Sequence, residues 1–286
     1  LVSALLFSKN RNEILEAMDF LVLTEAFSLE PSMKAIKKML HLVWVKGTND
    51  EGTSITTHLL NCYKQLFFSV PDNLTAINAS KYIADNLIDI TIGSSLSDLT
   101  SLEKLLCSMY KEGMITGEII NVLWDIYKYP LTHEDYNTSI MLKNKIHGSI
   151  IILGMLALED NSIISKGLPY LQRVGLDSMG ELDLTLCKYT CIALQRIASK
   201  SEDLAVDKVQ EEIIVKKIYS KIIKYTTDPQ FYPMCEQAVA ALFVVSSQPD
   251  FVVSSLIKEK TMMTFGNPEE SSELSSSKDI SRITSL

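Results

Sequence analysis

Residues Thr75–Ile92 read TAINASKYIADNLIDITI, and this stretch decides the fold class. Ile77, Ile83, Leu87, Ile88 and Ile92 fall on neighbouring turns of a helix, which predicts one apolar stripe on an otherwise polar surface. The preceding segment, Glu51–Val70, repeats the pattern with Ile55, Leu59, Leu60, Leu66, Phe67 and Val70. Pro71-Asp72-Asn73 separates the two. A lone helix pair of this kind cannot bury its stripe, so it needs further pairs stacked beside it.

Working outward, the same unit recurs. Pro31 suits a first helical turn. Gly47-Thr48-Asn49-Asp50 reads as a loop, and Lys111-Glu112-Gly113 as a helix end with glycine just past it. Tyr129-Pro130 to Tyr136, Asp228-Pro229 and Gln248-Pro249-Asp250 are further stops. First helices of successive pairs begin near Pro31, Thr75, Thr116, Ser162 and Ala205, with spacings of 44, 41, 46 and 43 residues. Repeats of about 40–47 residues with a helix pair each are the signature of HEAT and armadillo arrays. The expectation is an all-α chain, an α-solenoid of HEAT-type helix pairs forming a superhelix over residues 1–265. The competing reading is an irregular all-α domain, because pairs of ordinary helices also generate such periods. The run Ser149-Ile150-Ile151-Ile152 has strand-like composition, but it lies in a long apolar segment without a hairpin signal and is read as helix.

Composition narrows the function classes. The chain has 286 residues, 47% of them apolar and 22% charged, which excludes wholesale disorder. With 27 Lys and Arg against 35 Asp and Glu, the net charge is -8, so any DNA contact must come from a local basic patch. The longest uncharged runs, Ile146–Leu158 and Gln237–Pro249, have 13 residues, short of the roughly 20 a membrane span needs. The chain starts on Leu1 and ends within a helix-like pattern, and is read as a piece of a longer protein. Five cysteines, Cys62, Cys107, Cys187, Cys191 and Cys235, mostly in apolar helical patterns, argue for a reducing compartment rather than a disulfide framework.

Catalytic motifs fail one by one. No glycine-rich phosphate loop occurs, and Leu176-Asp177-Ser178-Met179-Gly180 lacks the first glycine of a nucleophile elbow and is read as an inter-helix loop. His41, His58, His133 and His147 are scattered with no two at i, i+4, and Cys187 and Cys191 find no second pair to complete a metal site. Glu202, Asp203, Asp207, Glu211 and Glu212 complement a helix dipole. The chain is read as non-enzymatic, with no cofactor, no metal and no small-molecule substrate.

Basic residues give a positive signal. Lys217, Lys221 and Lys224 with Lys216 are read as a stripe opposite Ile214, Ile218 and Ile222, and Lys34, Lys37 and Lys38 form a second cluster, followed by Lys46. Either could hold nucleic-acid phosphates, and either could be a plain solvated face. Trp44, Trp124, Tyr127 and Tyr129 are partner-binding candidates by residue type only, and core packing is the preferred reading for Trp44 and Trp124. Residues 266–278 read as a Ser-rich acidic loop and 279–286 as the start of a further helix. Within that tail Ser271, Ser272 and Ser276 have the acidic neighbours some kinases read.

Several blocks carry a family resemblance. Lys38-Met39-Leu40-His41-Leu42-Val43-Trp44-Val45-Lys46 with Asn49-Asp50-Glu51-Gly52 resembles the D-type non-SMC HEAT subunits of condensin (regulatory subunit 1). So do His58–Phe68, Pro71-Asp72-Asn73-Leu74, Leu99–Leu106 and Glu259–Glu269. Fungal members are the most similar, and the piece matches a central to C-terminal stretch. The resemblance implies a non-catalytic subunit that binds the kleisin, helps engage SMC ATPase heads and DNA, and acts in mitotic chromosome condensation. It implies residence in the nucleus and on chromosomes, with a cytoplasmic pool. A nuclear transport or trafficking adaptor of HEAT or armadillo type is the alternative, and an all-α enzyme with a site built from distant residues is a third.

Overall fold

Thr75 opens its helix as the pattern requires, since its Oγ1 accepts the amide of Asn78. The computed structural model describes residues 2–27, 32–49, 52–133, 139–197 and 207–266. Every regular element among them is helical. The α-helices are α1 (Val2–Leu5), α2 (Arg11–Ala26), α3 (Ser32–Met39), α4 (Ile55–Phe68), α5 (Ala76–Thr91), α6 (Leu96–Lys111), α7 (Gly117–Lys128) and α8 (Ile140–Leu156). They continue as α9 (Ser162–Arg173), α10 (Ser178–Leu182), α11 (Leu184–Leu194), α12 (Lys208–Ile223), α13 (Phe231–Val245) and α14 (Pro249–Phe265). Two 3₁₀ segments, Leu40–Trp44 and Tyr129–Leu131, extend α3 and α7.

The chain is an array of HEAT-type helix pairs. First helices begin at Ser32, Ala76, Gly117, Ser162 and Lys208, within a few residues of the expected starts. Ala205 and Pro31 lie outside the described residues. The run Ser149–Ile152 is helical, inside α8, while Ser178–Leu182 forms the short helix α10 where the sequence predicts a loop.

Contacts divide the chain into two compact units. One takes in Leu1–Tyr129 and His133–Asp160, the other Pro130–Thr132 and Asn161–Leu286. The sequence predicts a single array through residue 265; the division falls at the repeat boundary between α8 and α9. In the first unit α4 packs on α2, and α8 packs on α5, α6 and α7. In the second, α13 packs on α11, α12 and α14.

Local chemistry sets the helix ends. Ser95 and Asp98 form a reciprocal capping box at the start of α6. Gly113, at φ 73°, ends that helix, with Met114 N–H donating to the Met109 carbonyl at 3.0 Å. Packing shifts one stripe from its expected position. In α5 the buried set is Ser80, Ala84, Leu87, Ile88, Ile90 and Thr91, while Ile77 is 69% exposed and Ile92 is 38% exposed. At the far end of α5 from Ile77, α8 approaches closely at Gly148, where a Cβ would lie 2.7 Å from Ile88 Cγ2 and 2.8 Å from Thr91 Oγ1. Among the described residues, no helix is long and apolar enough to cross a membrane.

Candidate nucleic-acid and partner surfaces

The lysine stripe of α12 is not on the face the sequence suggests. At about 100° per residue, Ile214, Ile218 and Ile222 span an arc of about 80°, and Lys221 lies only about 20° beyond its edge. Lys221 is accordingly buried, with 5% of its side chain exposed. Its Nζ sits 2.8 Å from Glu181 Oε1 and donates to the Asp177 carbonyl at 3.1 Å. Lys217 Nζ lies 2.8 Å from Asp177 Oδ2 and donates to the Gln172 carbonyl at 3.1 Å. Lys224, 74% exposed, reaches Glu181 only at 3.9 Å, and Lys216 is exposed. Two of the four charges are thus consumed in tying α12 to the preceding pair. The hydrogen bond from Lys217 holds the Asp177 carboxyl below its ordinary range, and Lys221 does the same for Glu181.

The α3 cluster is different. Lys34 and Lys38, four residues apart, lie exposed on the side away from Ala35, Ile36 and Met39, which are buried. Lys37 is set apart from them, because its Nζ donates to the Ile92 carbonyl. Burial pushes its pKa down, against the opposing pull of Asp98 and Asp89. Lys46 is exposed beyond the 3₁₀ segment. Trp44 is 51% exposed, its Nε1 donates to Ser101 Oγ at 2.9 Å, and Lys104 Nζ stands 4.1 Å from its ring centroid. An exposed ring with a cation over it is the kind of feature that nucleic-acid bases and peptide side chains stack upon.

The other aromatic candidates are placed otherwise. Trp124 is 7% exposed and Tyr127 is fully buried, with their rings edge-to-face at 5.8 Å. Packing consumes both, and neither offers an anchor to a surface peptide. Tyr129 is half-buried and stacks on His133 at 3.9 Å. Ser271, Ser272 and Ser276 lie outside the described residues, as do the expected loop and final helix.

Two features are not evident from the sequence. A groove of about 730 Å³ in the first unit is lined by Leu23, Met33, Ile36, Phe67 and Tyr82, among others, contributed by α2 to α5. Asp19 of α2 meets His58 and Cys62 of α4: His58 Nε2 lies 2.8 Å from Asp19 Oδ1, and the Cys62 thiol donates to the same oxygen at 3.9 Å. Burial, then the charge of Asp19, pushes the Cys62 thiol up to about 12. Its signal in the sequence is the i, i+4 spacing of His58 and Cys62, a mixed pair that is easily missed where only His with His or Cys with Cys is expected.

No family model matches the chain. Condensin complex subunit 1 of Saccharomyces cerevisiae is 52% identical to it, across 100% of the chain. Over this stretch the chain belongs to the condensin subunit 1 family. The Schizosaccharomyces pombe condensin complex subunit 1 is 37% identical over 93% of the chain, and that of Mus musculus 22% identical over 90%. The match covers 25%, 22% and 18% of these three relatives, so the chain spans a quarter or less of a condensin subunit 1.

Proposed function

We propose that this stretch serves condensin as a non-catalytic helical-repeat segment that grips other macromolecules. The observation that carries the reading is the 52% identity to a condensin complex subunit 1 along the whole chain. The lack of catalytic motifs in the sequence supports the non-enzymatic part of the reading, and the family match favours it over a transport adaptor. In this reading the segment helps bind the kleisin, engage SMC heads and hold DNA during mitotic chromosome condensation. It works in the nucleus and on chromosomes, and is drawn from a cytoplasmic pool.

The geometry suggests which residues do what. DNA phosphates are met by Lys34 and Lys38, with Lys46, Lys216 and Lys224 as secondary contacts, because these cations point to solvent. Lys37, Lys217 and Lys221 serve the fold first. An extended kleisin peptide lies in the groove beside Leu23 and Tyr82, with Trp44 as a further exposed anchor.

Reversing Lys34 and Lys38 to Glu should weaken DNA binding and reduce the slope of log affinity against log salt by about 2, measured at several salt concentrations. Unchanged affinity and slope would remove α3 from the DNA surface. Pull-down with kleisin segments tests the groove. Leu23→Asp and Tyr82→Ala should lose capture while far-UV circular dichroism stays the same, and full retention by both would rule the groove out.

A further inference from the structure

We propose that Asp19, His58 and Cys62 form a binding site for a thiophilic divalent cation, zinc by ligand type, clamping α2 to α4. The inference is independent of the condensin reading and adds to it. The three candidate ligand atoms, Asp19 carboxylate oxygen, His58 imidazole nitrogen and Cys62 Sγ, all lie within 4.8 Å of one another. Around a tetrahedral zinc with one sulfur ligand, ligand atoms sit about 3.3–3.6 Å apart, which follows from bond lengths of about 2.0–2.3 Å. The separations in the protein bracket that range, at 2.8 Å for Asp19 to His58 and 3.9 Å for Asp19 to Cys62. The third separation, His58 to Cys62, is within 4.8 Å, so side-chain shifts of about an ångström close the site, and the half-exposed Asp19, with 54% of its side chain in solvent, is free to follow.

The placement is that of an inter-helix clip. His58 and Cys62 stand one turn apart on one face of α4, as the i, i+4 spacing dictates. Asp19 reaches them from α2, whose Met18 and Leu21 pack into the core on either side of it in sequence. Cys62 is 2% exposed, so the thiol is shielded, while the Asp19 side provides the entry path. A sulfur, nitrogen and oxygen set favours zinc over magnesium or calcium, which take oxygen ligands. Coordination is balanced simply. Cys62 gives up its thiol proton to solvent, His58 offers the Nε2 lone pair with its proton on Nδ1, and Asp19 binds as the carboxylate. Two negative ligands then neutralise the dication, and one position stays available to water.

Metal content and cobalt spectroscopy on the purified protein test the site. After loading with zinc and exhaustive dialysis, wild type should retain about one more ion per molecule than Cys62→Ser or His58→Gln. Asp19→Asn should weaken zinc binding by about tenfold or more. Cys235→Ser, which changes a half-buried thiol on α13, should keep the ion. Cobalt in place of zinc should give a thiolate charge-transfer band and intense tetrahedral d–d bands, lost in Cys62→Ser. Equal zinc content in wild type, His58→Gln and Cys62→Ser would overturn the proposal. So would a wild-type cobalt spectrum without the thiolate band, which needs no variant to fold. In that outcome the His58–Asp19 contact is only an ion pair between helices.

Discussion

Gly180 approaches the backbone of Gly175 so closely that a Cβ there would lie 1.9 Å from the Gly175 carbonyl oxygen. Backbone cannot swing aside as a side-chain tip can, so Gly180→Ala should cost about 1–3 kcal/mol in urea unfolding. Gly117, at the start of α7, has nothing within 4 Å of where a Cβ would sit, and Gly117→Ala should instead add up to about 1 kcal/mol. Lys221 gives a second contrast. Lys221→Met retains most of the buried stem but takes the ion-pair partner from the half-exposed Glu181 and the donor from the Asp177 carbonyl, and should cost about 1–3 kcal/mol. Lys221→Glu places a carboxylate beside Glu181 in the same interface and should destabilise far more, read from the same unfolding midpoints. The pH dependence has a definite sign. Asp177 and Glu181 are held below their ordinary values of 3.8 and 4.5, so the folded state binds fewer protons there than the unfolded one. Their stabilisation is complete above those ordinary values and is lost as pH falls through the lower, folded-state values. Thermal melts from about pH 6 down to about pH 3 should show a shallower loss in Asp177→Asn and Glu181→Gln than in wild type.

At the scale of the element, helix ends and helix neighbours answer to different information. Ser95→Ala removes one half of the α6 capping box and should cost about 1 kcal/mol, checked by chemical denaturation. Where α3 tightens into 3₁₀, the Ile36 carbonyl is taken by the Tyr63 hydroxyl at 2.6 Å, from a side chain that is fully buried. Tyr63→Phe should cost about 0.5–1.5 kcal/mol, because it removes a fully buried hydrogen bond. Stacking shows directly in the second unit's hydrogen bonds. Lys188 to Gln230 and Gln195 to Gln237 both join residues 42 apart, and Tyr219 to Glu259 joins residues 40 apart. Each is about one repeat, so equivalent positions of successive pairs hold one another.

For the whole molecule, a net charge of -8 means that the proposed binding to DNA rests on a few outward lysines and should weaken as salt rises. Both tryptophans belong to the first unit, one half-exposed at 51% and one at 7%. Indole emission therefore reports that unit, and acrylamide should quench a Trp44 component readily while sparing Trp124. Trp44→Phe should leave a blue-shifted, quencher-resistant emission. Equal quenching of both residues would contradict the burial of Trp124.

Helix content, the helix-pair repeat and most breaks were legible in the sequence, because apolar periodicity, caps and glycine stops act within about four residues of one another. Thr75 and Gly113 announced their helix ends by residue type alone. The position of each side chain relative to its neighbours was not legible, because it depends on residues one repeat away. Lys221 is buried because Glu181 and Asp177 meet it from the preceding repeat, and Gly148 of α8 lets that helix close on Ile88 and Thr91 of α5 while Ile77 stays exposed. The meeting of Asp19 with His58 and Cys62 is of the same kind: local order placed two ligands on one turn, and only the packing of α4 on α2 brought the third.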